Sequence, residues 1–389
     1  MGNFSSTLVQ NNRLLPGIHG LRGIAALAVV LFHLIHVGGV SPPNLFEFIG
    51  RDFGYSVHLF FILSAFSLMY STEPWINRPD WLANYFIKRF FRIAPLFYFM
   101  IALWIAAGLF KVGVLKDPVE IILNLTFTFG FVPFSGFVWG GWSVGVEMIF
   151  YAVFPVVLLL IRTHRAALLL LIISIIVSSA LRSALYLQDI NAKPLPAYYW
   201  SYFSFASNMC FFSMGIYAYL FSQSYKEHPR LLNVYVPIAA TVIIGGLLSS
   251  DLGALLYSSA RLDIVLWGIG LSALCAWQSH QPSVVISSDA LEYFGERSYS
   301  IYLLHPVIIF SLKGYLLKLY DLCVPIAGGY SFFICAAILM VVILVVVECS
   351  YRLIEVPGIN LGRKLIELRK KQAINNPLTL EISEHREAA

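Results

Sequence analysis

The amino-acid sequence predicts an all-α polytopic membrane protein with about ten transmembrane helices and both termini in the cytoplasm. Of its 389 residues, 59% are hydrophobic and 12% are charged, whereas a soluble chain carries about 25% charged residues. Residues 166–178 and 331–347 form continuous apolar runs, unlike the short alternating strands of a transmembrane β-barrel. A chain this apolar does not stay solvated without folding. The composition therefore excludes a water-soluble globule and a disordered chain, and the continuous runs favour membrane-spanning helices.

The limits of the spans follow from the length of apolar sequence that crosses a bilayer, about 20 helical residues. The predicted spans are 18–40, 54–72, 93–112, 142–161, 166–187, 202–221, 233–250, 262–278, 298–317 and 329–351. An even number of spans places both termini on the same side of the membrane.

The distribution of lysine and arginine predicts which side faces the cytoplasm, because cytoplasmic loops retain these residues. One set of alternate loops, with the chain ends, carries Arg13, Arg78, Lys88, Arg89, Arg92, Arg162, Arg165, Lys226, Arg230, Arg297 and the tail from Arg363 to Lys371. The opposite loops carry little more than Arg51, Lys116, Lys193 and Arg261. This topology explains the net charge of +5, so no nucleic-acid partner is expected. We expect a multi-pass protein of the cell inner (cytoplasmic) membrane, with the lipid bilayer around it.

The chain is expected to hold one integral-membrane domain, residues 1–362, and a basic, then polar, cytoplasmic tail, residues 363–389. No stretch outside the spans exceeds about forty residues, which leaves no room for an appended soluble catalytic domain. The polar start passes into the first helix without a small-residue cleavage site, so we expect the first span to remain in the mature protein. The five cysteines form no C-x-x-C motif and no cluster with histidine. Neither a metal site nor a disulfide framework is expected.

Ionisable side chains within the spans are the candidate functional residues, since such groups are costly inside a bilayer. In the first span, Arg22 and His33 lie eleven residues apart, which puts them about 20° from the same helix face and about 16 Å apart along the axis. The pattern predicts a cation near the cytoplasm and an imidazole near mid-membrane. The alternative is an arginine that extends to lipid headgroups and a histidine bonded to a neighbouring carbonyl.

The fourth span carries a polar stripe. Ser143, Glu147 and Tyr151 recur every four residues, so a hydroxyl, a carboxyl and a phenol share one helix face. A carboxylate about five residues into a span suits acid–base work or the orientation of a base. The alternative for Glu147 is a structural ion pair with Arg182 or Arg261.

A basic segment precedes the third span. Lys88 and Arg92 share one side of a helix with Arg89 beside them, and guanidinium groups suit the bidentate binding of phosphate. The alternative is a topology determinant that contacts anionic lipid.

Three other ionisable side chains lie in or beside the spans. His305 lies several residues inside the ninth span, where a catalytic and a packing role are both open. The same two roles are open for His58 in the second span. Glu355, at the end of the tenth span, is expected to pair with one of the arginines Arg89, Arg92 or Arg352.

Six motifs follow one another along the chain: Gly20-Leu-Arg-Gly-Ile-Ala-Ala with His33, Leu59-Phe-Phe-Ile-Leu-Ser-Ala-Phe, Lys88-Arg-Phe-Phe-Arg-Ile-Ala-Pro, Trp142-Ser with Glu147-Met-Ile-Phe-Tyr, Gly295-Glu-Arg-Ser-Tyr-Ser-Ile-Tyr-Leu-Leu-His-Pro, and Ile354-Glu-Val-Pro. In this order and spacing they resemble the family-3 membrane acyltransferases, the bacterial O-acetyltransferases of surface carbohydrates. The resemblance covers the chain from Leu15 to about Arg363. The chain departs from the family pattern at His58, where aspartate is usual, and at Ala65, where glycine is usual. The resemblance therefore assigns no role to His58.

The resemblance implies transfer of an acyl group, usually acetyl, from cytoplasmic acetyl-CoA to a hydroxyl of a cell-surface or exported carbohydrate. A basic cytoplasmic mouth suits the phosphates of the donor. We therefore expect the donor to be bound by Arg22, Lys88, Arg89 and Arg92.

The candidate catalytic residues are His33, Glu147 and His305. We expect neutral His33 to take the proton of the acceptor hydroxyl, while Glu147 orients or relays that proton. A two-step route in which a histidine is acylated first is an open alternative. The candidate substrate-binding residues are Trp142, Ser143 and Tyr151.

The competing class is a secondary transporter of a polar or lipid-linked solute, which would also use buried ionisable residues. The sequence has no internal repeat and no matching pair of broken helices in its two halves, which argues against a transporter. A non-catalytic scaffold would not need so many ionisable groups at depth. The sequence therefore favours an enzyme and leaves the identity of the acceptor open.

Overall fold

The computed structural model describes residues 15–111, 117–132, 136–189, 202–249 and 261–374. These residues form fourteen α-helices: α1 Pro16–His36, α2 Phe48–Asp52, α3 Ser56–Thr72, α4 Trp81–Lys111, α5 Pro118–Leu125, α6 Trp142–Leu160, α7 His164–Asp189, α8 Phe205–Ser224, α9 Val236–Leu248, α10 Leu262–His280, α11 Asp289–Glu296, α12 Ser298–Ala327, α13 Ser331–Ser350 and α14 Val356–Ile374. Two π turns, Leu231–Tyr235 and Tyr351–Glu355, precede α9 and α14. Within the described residues there is no β-strand.

The predicted fold class is confirmed. Within the described part of the chain, eight stretches are long and apolar enough to cross a membrane. One of them, Ser298–Gln372, contains α12, α13 and most of α14. The predicted span 202–221 corresponds to α8, whose buried asparagine and serines make it less apolar. Each predicted span therefore coincides with a helix, while the number of crossings and the side of the termini stay predictions.

The predicted boundary between the membrane domain and the tail falls inside a helix. The chain runs from α13 through the π turn Tyr351–Glu355 into α14, which continues to Ile374. Pro357 lies directly after the π turn, two residues past its end, and does not interrupt this path. The rest of the predicted tail, 375–389, lies outside the described residues.

Helix α1 is the centre of the fold. It packs against α3, α10, α11 and α12, and Leu21, Ala25 and Val29 on it are completely buried. Glycines let the backbones come close, as small residues do between membrane helices. A Cβ atom on Gly20 would lie 1.6 Å from the carbonyl oxygen of Ile286, and one on Gly295 would lie 2.1 Å from the carbonyl oxygen of His19. This close contact holds α11, and the start of α12 after it, against α1.

Replacing Gly20 with alanine should destabilise the protein, because the new methyl group meets a backbone carbonyl that cannot move aside. We expect a loss of about 1–3 kcal/mol in the free energy of unfolding, as for an overpacked core. The matched control is Gly314→Ala in α12, where, apart from the neighbouring backbone of the helix itself, no described atom lies within 4 Å of the added carbon. There the helix should gain up to about 1 kcal/mol. Thermal unfolding in detergent measures both, and equal shifts for the two variants would contradict the close contact.

Candidate active site

Three arginines lie near the N-terminal end of α1. Arg22 Nη2 donates to Ser67 Oγ on α3 at 3.2 Å, and Arg89 and Arg92 on α4 both interact electrostatically with Arg22. Within the described residues, Arg22 and Arg89 form no ion pair, and Arg89 Nε is buried without a hydrogen-bond partner. Lys88 is instead exposed, close to Arg363 and Lys370 of α14. The structure therefore brings the three arginines together and leaves Lys88 at the edge of the group.

The third arginine has a carboxylate partner. Arg92 Nη1 forms an ion pair with Glu355 Oε1, and Ser300 Oγ donates to Glu355 Oε2 at 2.7 Å. Of the three arginines expected as partners of Glu355, Arg92 is the one observed. Arg352 pairs with Glu348 at 2.5 Å instead.

Glu147, on α6, is the next ionisable side chain after the arginine group. Its Oε1 atom accepts hydrogen bonds from Ser64 Oγ on α3 and from Tyr151 Oη, both at 2.5 Å. The carboxylate interacts electrostatically with both Arg22 and Tyr302. The predicted stripe on α6 therefore faces the interior.

The two arginines considered as ion-pair partners of Glu147 have other contacts. Arg182 donates to the backbone carbonyl of Ser207. Arg261 pairs with Asp263 at 3.0 Å. The alternative interpretation of Glu147 as half of a structural ion pair with either of them is therefore wrong.

At the far end of α1, His33 and His305 form a pair. His305 Nε2 lies 3.0 Å from His33 Nδ1. His33 Nδ1 also lies 3.0 Å from the carbonyl oxygen of Val29, and His305 Nδ1 lies 2.9 Å from that of Ile301. Because a carbonyl oxygen only accepts, each Nδ1 carries its hydrogen in the neutral rings, and the one hydrogen of His33 Nδ1 is shared between the Val29 carbonyl oxygen and His305 Nε2. His33 Nε2, with no hydrogen-bond partner among the described residues, then keeps a free lone pair.

His33 lies closer to the helix end than the expected mid-membrane position. The predicted span continued to residue 40, but α1 ends at His36 and places His33 in its last turn. The helix stops because Gly38 and Gly39 follow, and Gly39 adopts a φ of 80° that favours glycine. The expected alternative of a histidine bonded to a neighbouring carbonyl also holds, since Val29 is that neighbour.

A tyrosine connects the histidine pair with the stripe on α6. Ser143 Oγ donates to Tyr302 Oη at 2.7 Å, and the Tyr302 ring lies 6.0 Å from the His305 ring between centroids. Trp142 belongs to an aromatic group beside it, with ring centroids 4.7 Å from Phe203 and 6.1 Å from Phe61. Ser143 is thus held by Tyr302.

Hydrogen bonds within groups, and electrostatic interactions between the groups, relate these side chains to one another between the helices. We define the polar column as Arg22, Arg89, Arg92, Glu355, Ser300, Ser64, Glu147, Tyr151, Ser143, Tyr302, His305 and His33. In the part of the chain that the structure describes, His33 is hydrogen-bonded to Val29 and His305 and has no direct contact with Glu147, the residue expected to relay its proton. Sequence reasoning missed Tyr302, although its three-residue separation from His305 places both on one helix face.

His58 lies outside the polar column. It is buried, and its ring centroid is 4.1 Å from that of Phe211 on α8. His58 and Ser67 are nine residues apart on α3, which corresponds to about 180° around a helix. His58 therefore faces away from the side of α3 that meets Arg22.

The helical fold and a polar column with cations at one end and a histidine pair at the other define a membrane-embedded enzyme. Residues 15–349 match the family model described as an acyltransferase domain, so the chain belongs to the family 3 acyltransferases, as predicted. Within the described residues, no group of three or more histidine, cysteine or acidic side chains could hold a metal ion.

Curated relatives are similar over most of the chain. The peptidoglycan O-acetyltransferase OatA of Listeria monocytogenes is 26% identical over 89% of this chain and 56% of its own length. A putative O-acetyltransferase of Staphylococcus aureus is 22% identical over 93% of this chain and 60% of its own length. A putative acetyltransferase of Acidianus two-tailed virus is 27% identical over 75% of this chain and 82% of its own length. The chain thus spans less than two thirds of the bacterial relatives. No solved structure shows a significant match.

A double-mutant cycle tests the geometry around Glu147. Ser64→Ala and Tyr151→Phe each remove one donor to the same oxygen, so their effects should not add, with a coupling of about 0.5–3 kcal/mol. The control cycle combines Tyr151→Phe with Ser143→Ala, whose hydroxyl contacts Tyr302 instead, and should be additive. The free energy of unfolding in a denaturant titration measures both cycles. Additivity in the first cycle would show that the two hydroxyls do not share Glu147.

Proposed function

We propose that the protein transfers an acyl group, most simply acetyl, from acyl-CoA on the cytoplasmic side of the inner membrane to a hydroxyl of a cell-surface or exported carbohydrate. The observation that carries the proposal is the polar column, in which, among the described residues, Arg22 and Arg89 have no ion-pair partner at one end and His33 Nε2 has no hydrogen-bond partner at the other. The names of the relatives support acetyl as the group and a carbohydrate of the cell envelope as the acceptor.

The arginine end suits the donor. Unpaired cations in a membrane interior are costly, and the phosphates of coenzyme A would neutralise Arg22 and Arg89 by charge-assisted hydrogen bonds. The lysines and arginines of the neighbouring loops support a cytoplasmic location of this end. Lys88, at the edge of the group, would add to the attraction of the donor without touching its phosphates.

The histidine end suits the reaction itself. His33 Nε2 would take the proton of the acceptor hydroxyl as its oxygen attacks the thioester carbon. A carbon–oxygen bond forms, the carbon–sulfur bond breaks, and the proton passes from His33 to the leaving thiolate. Tyr302 receives its hydrogen bond from Ser143, so its own hydrogen remains available to the carbonyl oxygen of the thioester. Such a donor would stabilise the negative charge that develops there.

The acceptor would lie beside the aromatic group around Trp142. Aromatic rings can pack against the apolar face of a sugar ring, and tyrosine hydroxyls can form hydrogen bonds with its hydroxyl groups. Ser143 would act through Tyr302, and Tyr151 through Glu147, because their hydroxyls are already held. Glu147 would fix the position of Tyr151 and Ser64 between the donor and the acceptor ends.

Acetyl groups on isolated surface polysaccharides, measured by proton NMR in a gene-deletion strain and its complements, test the proposed function. Loss of one acetyl resonance, restored by the wild-type gene, is the expected result and also identifies the acceptor. Purified protein should in addition consume acetyl-CoA. A protein that leaves every glycan unchanged and does not consume acetyl-CoA would contradict the proposal and favour the transporter.

His33→Ala should lower the rate of acyl transfer by about 10²–10⁴, the usual contribution of a general base. The matched control is His36→Ala one turn away, where the exposed side chain contacts the Gly50 carbonyl oxygen outside the polar column. Release of coenzyme A thiol in the presence of surface carbohydrate measures both variants. Normal transfer by His33→Ala would contradict its role as base. Labelled acetyl that stays on the wild-type protein without acceptor would replace direct attack by the acyl-histidine route.

Arg89→Met should raise the KM for acetyl-CoA about 10-fold or more, since one charge-assisted hydrogen bond contributes about 1.5–3 kcal/mol. Its neighbour Lys88 provides the control, because the exposed Lys88→Met variant should change KM much less. Initial rates over a range of acetyl-CoA concentrations measure the difference. Equal effects of the two substitutions would indicate a diffuse attraction of the donor instead of a phosphate site at Arg89.

A further inference from the structure

The buried face of α13 continues past the end of the helix in an irregular step. Side chains on this face recur every three or four residues and are Phe332, Cys335, Leu339, Ile343, Val347 and Ser350. The next buried residue is Glu355, which follows Ser350 after five residues and is 1% exposed. The buried face thus continues with a carboxylate, one or two residues later than the spacing of the preceding buried side chains predicts.

The π turn accounts for this shift. Five residues of an α-helix rotate by about 500°, which would leave Glu355 about 140° away from Ser350. In a π turn each hydrogen bond encloses one more residue, so a five-residue step returns close to the starting face. The turn covers Tyr351–Glu355, the segment in which the step occurs. It therefore holds the Glu355 carboxylate on the buried side.

Both carboxylate oxygens of Glu355 have a partner there. Oε1 pairs with Arg92 on α4, and Oε2 accepts from Ser300 on α12. Ser300 is completely buried, whereas the Arg92 side chain keeps 27% of its surface exposed. Beside this contact, Tyr299 Oη donates to the Ile93 carbonyl oxygen at 2.8 Å. The π turn, α4 and α12 thus meet at Arg92.

Arg92 needs this partner because it lies in a group of like charges. It interacts electrostatically with Arg22, and Arg22 does so with Arg89. Like charges repel, and at low dielectric the repulsion is strong. The described residues give Arg22 and Arg89 no ion-pair partner, whereas Glu355 offsets the charge of Arg92.

We propose that Glu355 is a positioning residue for the acyl donor, acting through Arg92. The π turn presents the carboxylate, and the carboxylate holds the Arg92 guanidinium beside Arg22 so that the arginines form one site for the phosphates of coenzyme A. This inference rests on the proposed function. In this proposal Arg22 and Arg89 are neutralised only when the donor binds, whereas Arg92 is already held by Glu355 in the free protein.

Glu355→Gln tests the proposal with little change in side-chain volume. The KM for acetyl-CoA should rise about 10-fold or more while kcat changes little, because the chemistry at His33 is untouched. The matched control is Glu348→Gln, which removes a carboxylate one helical segment earlier, where it pairs with Arg297 and Arg352 outside the polar column. It should leave KM unchanged. Ser300→Ala, which removes the second partner of Glu355, should give a smaller rise in KM.

A second measurement separates action through Arg92 from a general loss of structure. In an Arg92→Met background, Glu355→Gln should add no further rise in KM, whereas a merely structural role would add its own effect. Calorimetric titration with coenzyme A itself should show the same pattern in Kd. Wild-type protein that neither consumes acetyl-CoA nor binds coenzyme A would overturn the proposed function. Normal wild-type binding with no effect of Glu355→Gln, or additive effects in the double variant, would overturn the role of Glu355 alone.

Discussion

The cost of placing charge between membrane helices is the constraint on which this structure depends. An ionisable side chain in that environment needs a partner, because unpaired charge in a low-dielectric interior is strongly unfavourable. Glu355 meets Arg92 and Ser300, and Glu147 meets two hydroxyl groups. The charged and polar groups of the polar column thus compensate one another, except at its two ends. There the described residues leave arginines without an ion-pair partner and a histidine nitrogen without a hydrogen bond. The proposed function places the ligands at these two ends.

The apolar packing serves this column by bringing distant segments together. The glycines of α1 and α11 permit backbone contact, and α12 begins directly after α11. This arrangement fixes the level at which His305 meets His33, two residues separated by 272 positions in the chain. A larger side chain at Gly20 would move α12 and with it one ring of the pair. The precision of the site therefore depends on residues without any polar group.

Sequence periodicity predicted those parts of the site that belong to one helix. The four-residue spacing of Ser143, Glu147 and Tyr151 was enough to place them on one inward face, and the apolar runs were enough to locate the helices. Contacts between helices were less accessible, since the packing of α1 against α12 is set by close backbone contact. The position of His33 depends on where α1 ends. Hydropathy alone does not locate this end, because the two glycines that stop the helix are compatible with a longer apolar span.

The register of the last helices shows the same limit from another side. A search for amphipathic periodicity assumes a constant rotation per residue, and the π turn before α14 breaks that assumption at Glu355. The Glu355 carboxylate, expected at the end of the tenth span, is therefore buried between the helices. The list of possible partners was correct, but only the turn decides among them.

The direction of the hydrogen bonds in the histidine pair has a consequence for how the protein would handle charge. When His33 Nε2 gains a proton, the hydrogen already on Nδ1 lies between two acceptors, the Val29 carbonyl oxygen and His305 Nε2, each 3.0 Å from Nδ1. That hydrogen can move across without rotation of either ring, and the positive charge then resides on the deeper imidazole. The pair can thus hold a single charge at either of two sites, the partly exposed His33 ring or the fully buried His305 ring.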